Sequence, residues 1–131
     1  METMQVRTGS RVQFLEITTR LSEIIGRSGV QEGVAVVCVP HTTAGITVNE
    51  AADPSVVQDI TAKLSELVPH HGSYKHSEGN SDAHIKTSLV GSSIHLIISR
   101  GSLVLGTWQG VFFCEFDGPR TRKVQVQILS A

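Results

Sequence analysis

The chain has no apolar run near the ~20 residues that cross a bilayer, no excess of charge of either sign, and little sulfur. Cysteines number 2 and aromatic residues make up 5% of the 131 residues. The 11 basic side chains face 12 acidic ones, a formal net charge of -1. That balance lacks the broad positive field that draws a protein to nucleic acid or anionic lipid, so neither partner is expected. Two cysteines do not complete a tetrahedral metal site. Cys38 and Cys114 lie in apolar stretches and read as buried thiols in a reducing cytosol. The opening residues Met1-Glu2-Thr3-Met4-Gln5-Val6-Arg7 have no apolar core of the signal-peptide kind, and a cytoplasmic protein is expected. Internal repeats, low-complexity tracts and linkers are also missing, which leaves one domain over residues 1–131.

What is present is a globular composition, 40% hydrophobic and 18% charged. Gln5 to Ile17 reads as one or two strands broken at Thr8-Gly9-Ser10. Thr18 or Thr19 can cap a short helix carrying Leu21, Ile24 and Ile25 on one side, with Gly29 past its end. Val34 to Val39 is short and valine-rich, which predicts a central strand buried on both faces. Ala44 to Glu50 alternates, with Ile46 and Val48 on one face. Asp53-Pro54 opens a helix whose stripe is Val57, Ile60, Leu64 and Leu67. Asp82 can cap another, with Ile85 and Leu89 facing inward and Gly91 at its end. Alternating strands follow through Ile94, Leu96 and Ile98, through Leu103-Val104-Leu105, from Gln109 to Phe116, and through Val124, Val126 and Ile128. Strands in runs, with no regular strand–helix repeat, predict an α+β fold: a mainly antiparallel sheet or sandwich with two or three helices.

The chemistry concentrates between Tyr74 and Lys86, where His76, Glu78, Asn80, Asp82, His84 and two lysines fall in one glycine-broken segment. These are metal ligands, acid–base groups and anion contacts. His84 falls in the first turn of the expected helix, where the positive end of the dipole favours a neutral imidazole. His41-Thr42-Thr43 closes the buried strand, and Asn49 and Glu50 lack a local structural explanation. His70-His71 reads as an exposed turn, and His95 as a structural strand residue. Gly91-Ser92-Ser93 is a weak phosphate loop, and neither a P-loop nor a His-Glu-x-x-His zinc motif occurs. Gly106-Thr107-Trp108-Gln109-Gly110 fits a β-bulge or a ligand-stacking indole equally well. Glu115 shares a strand face with Val111 and Phe113, so it needs a cation: a metal, Arg120 or Arg122.

Taken in order, His41-Thr-Thr-Ala-Gly-Ile-Thr-Val-Asn-Glu50, Asp53-Pro54, Tyr74-Lys-His76-Ser-Glu78, Asp82-Ala-His84-Ile-Lys86, Gly91-Ser-Ser and Gly106-Thr-Trp-Gln-Gly110 closely resemble the YjbQ-like family, also labelled secondary thiamine-phosphate synthase. The resemblance covers nearly the whole chain. It implies an antiparallel-sheet α+β fold, a homotrimer with pockets near subunit boundaries, and an ability to join a pyrimidine diphosphate to a thiazole phosphate.

The expected catalytic groups are therefore His84, Glu50, Asp82 and Glu115. Thr42, Asn49, Lys86 and Ser92 are expected to contact substrate, with Trp108, Gln109 and Arg120. Pyrophosphate departure calls for positive charge, usually a divalent metal with Lys or Arg. His41, His76 and His84 would suit a zinc-like ion, and Glu50, Glu78, Asp82 or Glu115 would suit magnesium. The expected function is a metal-dependent enzyme on a small phosphorylated or heterocyclic substrate. The alternative is a non-catalytic trimeric protein that binds a metal or metabolite, with Glu115 and Arg120 as a structural ion pair.

Overall fold

The computed structural model describes residues 1–131. In chain order it runs β1 (Glu2–Arg7), β2 (Gln13–Glu16), α1 (Thr18–Ser28), β3 (Gly33–Cys38), β4 (Ala44–Glu50), α2 (Pro54–Leu67) and α3 (Ser81–Val90). Then come β5 (Ser93–Ser99), β6 (Ser102–Leu103), β7 (Gln109–Glu115) and β8 (Thr121–Ser130). Every strand pairing is antiparallel, in a five-stranded sheet ordered β1-β8-β3-β5-β6 and a three-stranded sheet ordered β2-β7-β4. The α+β expectation holds.

The two sheets face each other. Val6, Ala35, Val37, Leu96, Ile98, Val124 and Val126 of the large sheet meet Ala44, Ile46, Val111 and Phe113 of the small one. Helix α1 adds Leu21, Ile24 and Ile25 to this core, as its spacing predicts, and ends at Gly29 in the left-handed region (φ 72°). No threonine caps it: Ile17 is its N-cap, and the Thr18 hydroxyl instead donates to Glu16 and accepts from the Val111 N–H. The far face of the small sheet carries Phe112, Cys114 and neighbouring Phe116, packed with Ala83 of α3 and Val57 and Leu64 of α2. Burial pushes the Cys114 thiol far up, as expected of an inert structural cysteine.

Three expectations need correction. Helix α2 is capped by Asp53, whose carboxylate accepts the Ser55 N–H at 2.9 Å, but no α2 residue is fully buried and Leu67 is exposed. The N-cap position of helix α3 is Asn80, whose side chain makes no capping bond, rather than Asp82. The helix turns Asp82, Ala83, Lys86 and Thr87 inward, leaving Ile85 and Leu89 exposed. Strand β3 is buried on one face only; Val34 is exposed and Val36 half-buried. No helix is long and apolar enough to cross a membrane.

Candidate functional site

The end of the small sheet where β4 begins and β7 finishes gathers loops from across the chain. Arg11 comes from the β1–β2 loop, Thr42 and Thr43 from the turn before β4, and Asp117 and Arg120 from the β7–β8 turn. His70, Glu78, Gly79 and Asn80 precede α3, and His84 stands in its first turn. Together they enclose a cavity of about 540 Å³ lined by no hydrophobic residue. A helix N-terminus opening onto such a cavity adds partial positive charge and unpaired N–H groups.

Two buried ion pairs hold this assembly. Glu115 is fully buried and accepts from Arg122 Nε at 2.9 Å, from the Thr8 hydroxyl at 2.8 Å, and from the Phe116 and Asp117 N–H groups at 3.1 Å each. Burial would raise its pKa, but these donors, Arg122 first, hold the carboxyl below its ordinary value. Arg122 Nη2 also donates to the Thr43 hydroxyl at 2.8 Å, which ties the β4 turn to the β7–β8 turn. The partner foreseen for Glu115 among the alternatives is thus Arg122. Arg120 pairs with Asp117 instead, Nη2 to Oδ2 at 3.0 Å, and Asn80 Nδ2 donates to the same oxygen at 2.8 Å.

The second pair lies beneath α3. Arg11 grips Asp82 with two parallel bonds of 3.0 Å, and Lys86 approaches the same carboxylate at 3.4 Å. Burial favours protonated Asp82, yet the Arg11 bonds outweigh it and keep the carboxyl ionised. The same bonds raise the Arg11 pKa. Lys86 is sealed beside the Phe116 ring, 5.9 Å from its centroid.

The cavity therefore brings together His84, Thr42, Arg120 and Glu78 of the residues expected from sequence. Glu115, Asp82 and Lys86 underlie it but are closed to a substrate; they position other groups. Glu50, Asn49, Trp108 and Gln109 are elsewhere. Glu50 pairs with Gln109 at the other end of β4, six residues and about 20 Å along the strand from Ala44. There Glu50 lines a separate pocket with Glu16, Phe14 and Phe112. Asn49 bonds the Glu50 N–H, Gln109 closes its loop onto the Gly106 N–H, and Trp108 is exposed. Ser92 lies outside the cavity, its carbonyl taken by the Val39 N–H.

The three histidines do not converge within the chain. His76 and His84 meet edge to face, 5.4 Å between ring centroids, while His41 Nε2 accepts the Lys123 N–H at 2.9 Å. No group of three His, Cys, Asp or Glu side chains is placed to hold a metal ion within one chain. Within the chain, then, His41 serves as an acceptor for the backbone, and the expected three-histidine centre is not formed inside one subunit. Three cavity residues escaped the sequence reading, Asp117 of the β7–β8 turn among them. Arg11 sits in a loop with nothing to mark it. His70 reads as a surface turn, yet its Nε2 bonds the Gly79 carbonyl at 3.0 Å and its ring lines the cavity. The proline and paired histidines at Pro69-His70-His71 were the only signal available.

Comparison with known proteins places this geometry among relatives. The family described as "UPF0047 protein YjbQ-like" matches residues 2–131. A UPF0047 protein of Methanocaldococcus jannaschii is 54% identical over 125 residues, covering 95% of this chain and 91% of its own. The UPF0047 protein YugU of Bacillus subtilis is 45% identical over 130 residues, covering 98% of each. Among solved structures, an uncharacterised conserved protein of that family from Clostridium acetobutylicum superposes with a TM-score of 0.97 at 53% identity, covering 98% of this chain and 100% of that one.

Proposed function

The chain belongs to the UPF0047 YjbQ-like family, and on that premise we propose that it is an enzyme acting on a small phosphorylated substrate in the cavity of His84 and Arg120. The supporting observation is that cavity itself: wholly polar, with guanidinium groups from two separate loops and the N-terminus of α3 opening onto it. In this reading Arg11 and Arg120 hold the phosphate and the Thr42 and Thr43 hydroxyls orient it. His84 moves a proton at the reacting oxygen or nitrogen. The reaction class is a group transfer of the thiamine-phosphate-synthase kind, in which carbon–nitrogen bond formation releases pyrophosphate from a pyrimidine diphosphate. The working form is a cytoplasmic homotrimer.

Inorganic phosphate binding by calorimetry is the first test, and Arg120→Ala is expected to weaken it about tenfold, as loss of a charged hydrogen bond does. Turnover with the pyrimidine diphosphate and thiazole phosphate is the second. There His84→Ala is expected to lower kcat about 100-fold with little change in KM. A wild-type rate no faster than that of His84→Ala would leave binding without catalysis as the function. A divalent ion finds its donors only where a neighbouring subunit completes His76 and His84, so metal content is to be measured on the assembled protein. Stoichiometric zinc there would extend the reading to metal-assisted chemistry.

A further inference from the structure

A substrate that carries a ring as well as a phosphate needs walls that the cavity of Arg11 and Arg120 does not offer, since no hydrophobic residue lines it. Such walls stand next to it. A second cavity, of about 480 Å³, adjoins the first at His84, the one residue that lines both. Tyr74 and His76 border it from the segment before α3, and Ser81, His84 and Ile85 border it from α3 itself. Those three have the i, i+3, i+4 spacing that makes one helix face. Asp82 and Lys86 take the inward face of α3, so apolar Ile85 is left 39% exposed, and it is this cavity that its side chain borders.

Three rings meet here. Tyr74, the only tyrosine, belongs to neither apolar cluster of the fold. Its own loop holds it instead. The hydroxyl donates to the Pro69 carbonyl at 2.6 Å and the Tyr74 N–H donates to the Gly72 carbonyl at 2.9 Å. The ring lies over Gly72, where a Cβ would stand 3.2 Å from Tyr74 Cε2 and Cζ. An aromatic side chain fixed in this way loses little freedom when a second ring stacks on it. His76 and His84 stand at 87° to one another with centroids 5.4 Å apart, offering a ring face and a ring edge. No carboxylate lines the cavity and Lys75 does, so a cationic ring would find no counter-charge there. A neutral ring has no such need, and the Ser81 hydroxyl can donate to a ring nitrogen.

Resting on the phosphate-binding reading above, we propose that the second cavity is the subsite for a neutral heteroaromatic ring, borne by the same substrate whose phosphate lies at Arg11 and Arg120. Tyr74 stacks on the ring and Ile85 packs against it. His84 then stands between ring and phosphate, beside the link that joins them, which is where the proton transfer assigned to it is needed.

The test uses the full-length protein near pH 7 and three probes in titration calorimetry: inorganic phosphate, cyclohexylmethyl phosphate and 3-pyridylmethyl phosphate. The two esters are alike in phosphate charge and size, and only the pyridyl ring is flat and carries a nitrogen. The pyridyl ester is expected to bind about fivefold more tightly than the cyclohexyl ester, within the range of one aromatic pair. Tyr74→Leu, which keeps apolar bulk without a π-face, is expected to bring that ratio close to one, and Tyr74→Phe to preserve most of it. A ratio taken within each variant cancels any damage to the phosphate site. The wild-type protein gives an independent readout, because the ring resonances of its single tyrosine can be followed by NMR. The pyridyl ester is expected to move them upfield and the cyclohexyl ester to leave them near their starting positions. Equal affinity for the two esters, with inorganic phosphate still bound, overturns the ring subsite and leaves the phosphate reading standing. A fivefold ratio that persists in Tyr74→Leu, with the wild-type tyrosine resonances unmoved, puts the ring elsewhere and overturns the subsite as well. No binding of any probe overturns both this inference and the reading on which it rests.

Discussion

An imidazole nitrogen that accepts a backbone N–H is not also protonated, and His41 is held in that state by Lys123. Burial, and after it the nearby Arg122 guanidinium, lowers its pKa from the ordinary value. In the unfolded chain a histidine titrates near pH 6.5. Below that pH the unfolded state binds a proton that the folded state resists, so the contribution of His41 to stability is lost as pH falls from about 6.5 toward its folded pKa. Asp82 and Glu115 have the same sign in a lower window. Their folded pKa values are depressed, so their contribution is full above the unfolded values near pH 4 and declines only below them. The urea midpoint is therefore expected to fall between pH 7 and pH 5, and His41→Gln, which keeps an acceptor but does not titrate, is expected to flatten that slope. Equal slopes for the two proteins would show that the Lys123 bond does not govern the transition.

Strand β4 passes close against the end of α3. A Cβ on Gly45 would stand 2.6 Å from the Gly91 carbonyl oxygen and 3.3 Å from Val90 Cγ1, while the Ile46 N–H bonds that same carbonyl at 3.0 Å. Gly45→Ala is expected to cost about 1–3 kcal/mol in urea unfolding, the scale of overpacking. It should also weaken phosphate binding, because α3 presents its N-terminus to the cavity. Gly26→Ala is the control: α1 there has open space, and helix propensity is expected to add about 0.5–1 kcal/mol. A Gly45→Ala protein as stable as wild type would mean that the junction yields. Elements of this kind were legible in sequence wherever burial followed a simple period, as with Leu21, Ile24 and Ile25 in α1 or the alternation of β5 and β8. The inward face of helix α3 was not, because it carries Asp82 and Lys86, charges that read as solvated. They are buried because Arg11 arrives from 71 residues away, a contact that no local pattern encodes. The site divides likewise. The polar segment pointed to His84, and the β7–β8 turn to Arg120. Glu50, Trp108 and Gln109 were eligible by residue type, but the β4–β7 register puts them at the opposite end of the sheet.

The molecule as a whole has one covered flank and one bare one. Helices α2 and α3 close the outer face of the small sheet, whereas nothing in the chain covers the outer face of the large one. On that face Val34 of β3 lies opposite Ile97 of β5 and Leu129 of β8, an apolar row across three strands with exposures of 36%, 60% and 55%. Phe112 of β7, by contrast, is buried beneath the helices. The valine-rich sequence of β3 suits a strand covered on both sides, and a single chain covers only one. Contiguous apolar surface of this sort marks an association face, and the proposed homotrimer would bury it. Light scattering at micromolar concentration is expected to give about three times the 14.1 kDa chain mass. Ile97→Glu combined with Leu129→Glu is expected to reduce that to one chain mass while the circular dichroism of the sheets persists, since neither side chain belongs to the core between the sheets. A wild-type mass of one or two chains would remove the trimer. A trimer that survives the double substitution would move its interface to another face, such as the one presented by the exposed Leu67 and Leu89 of α2 and α3.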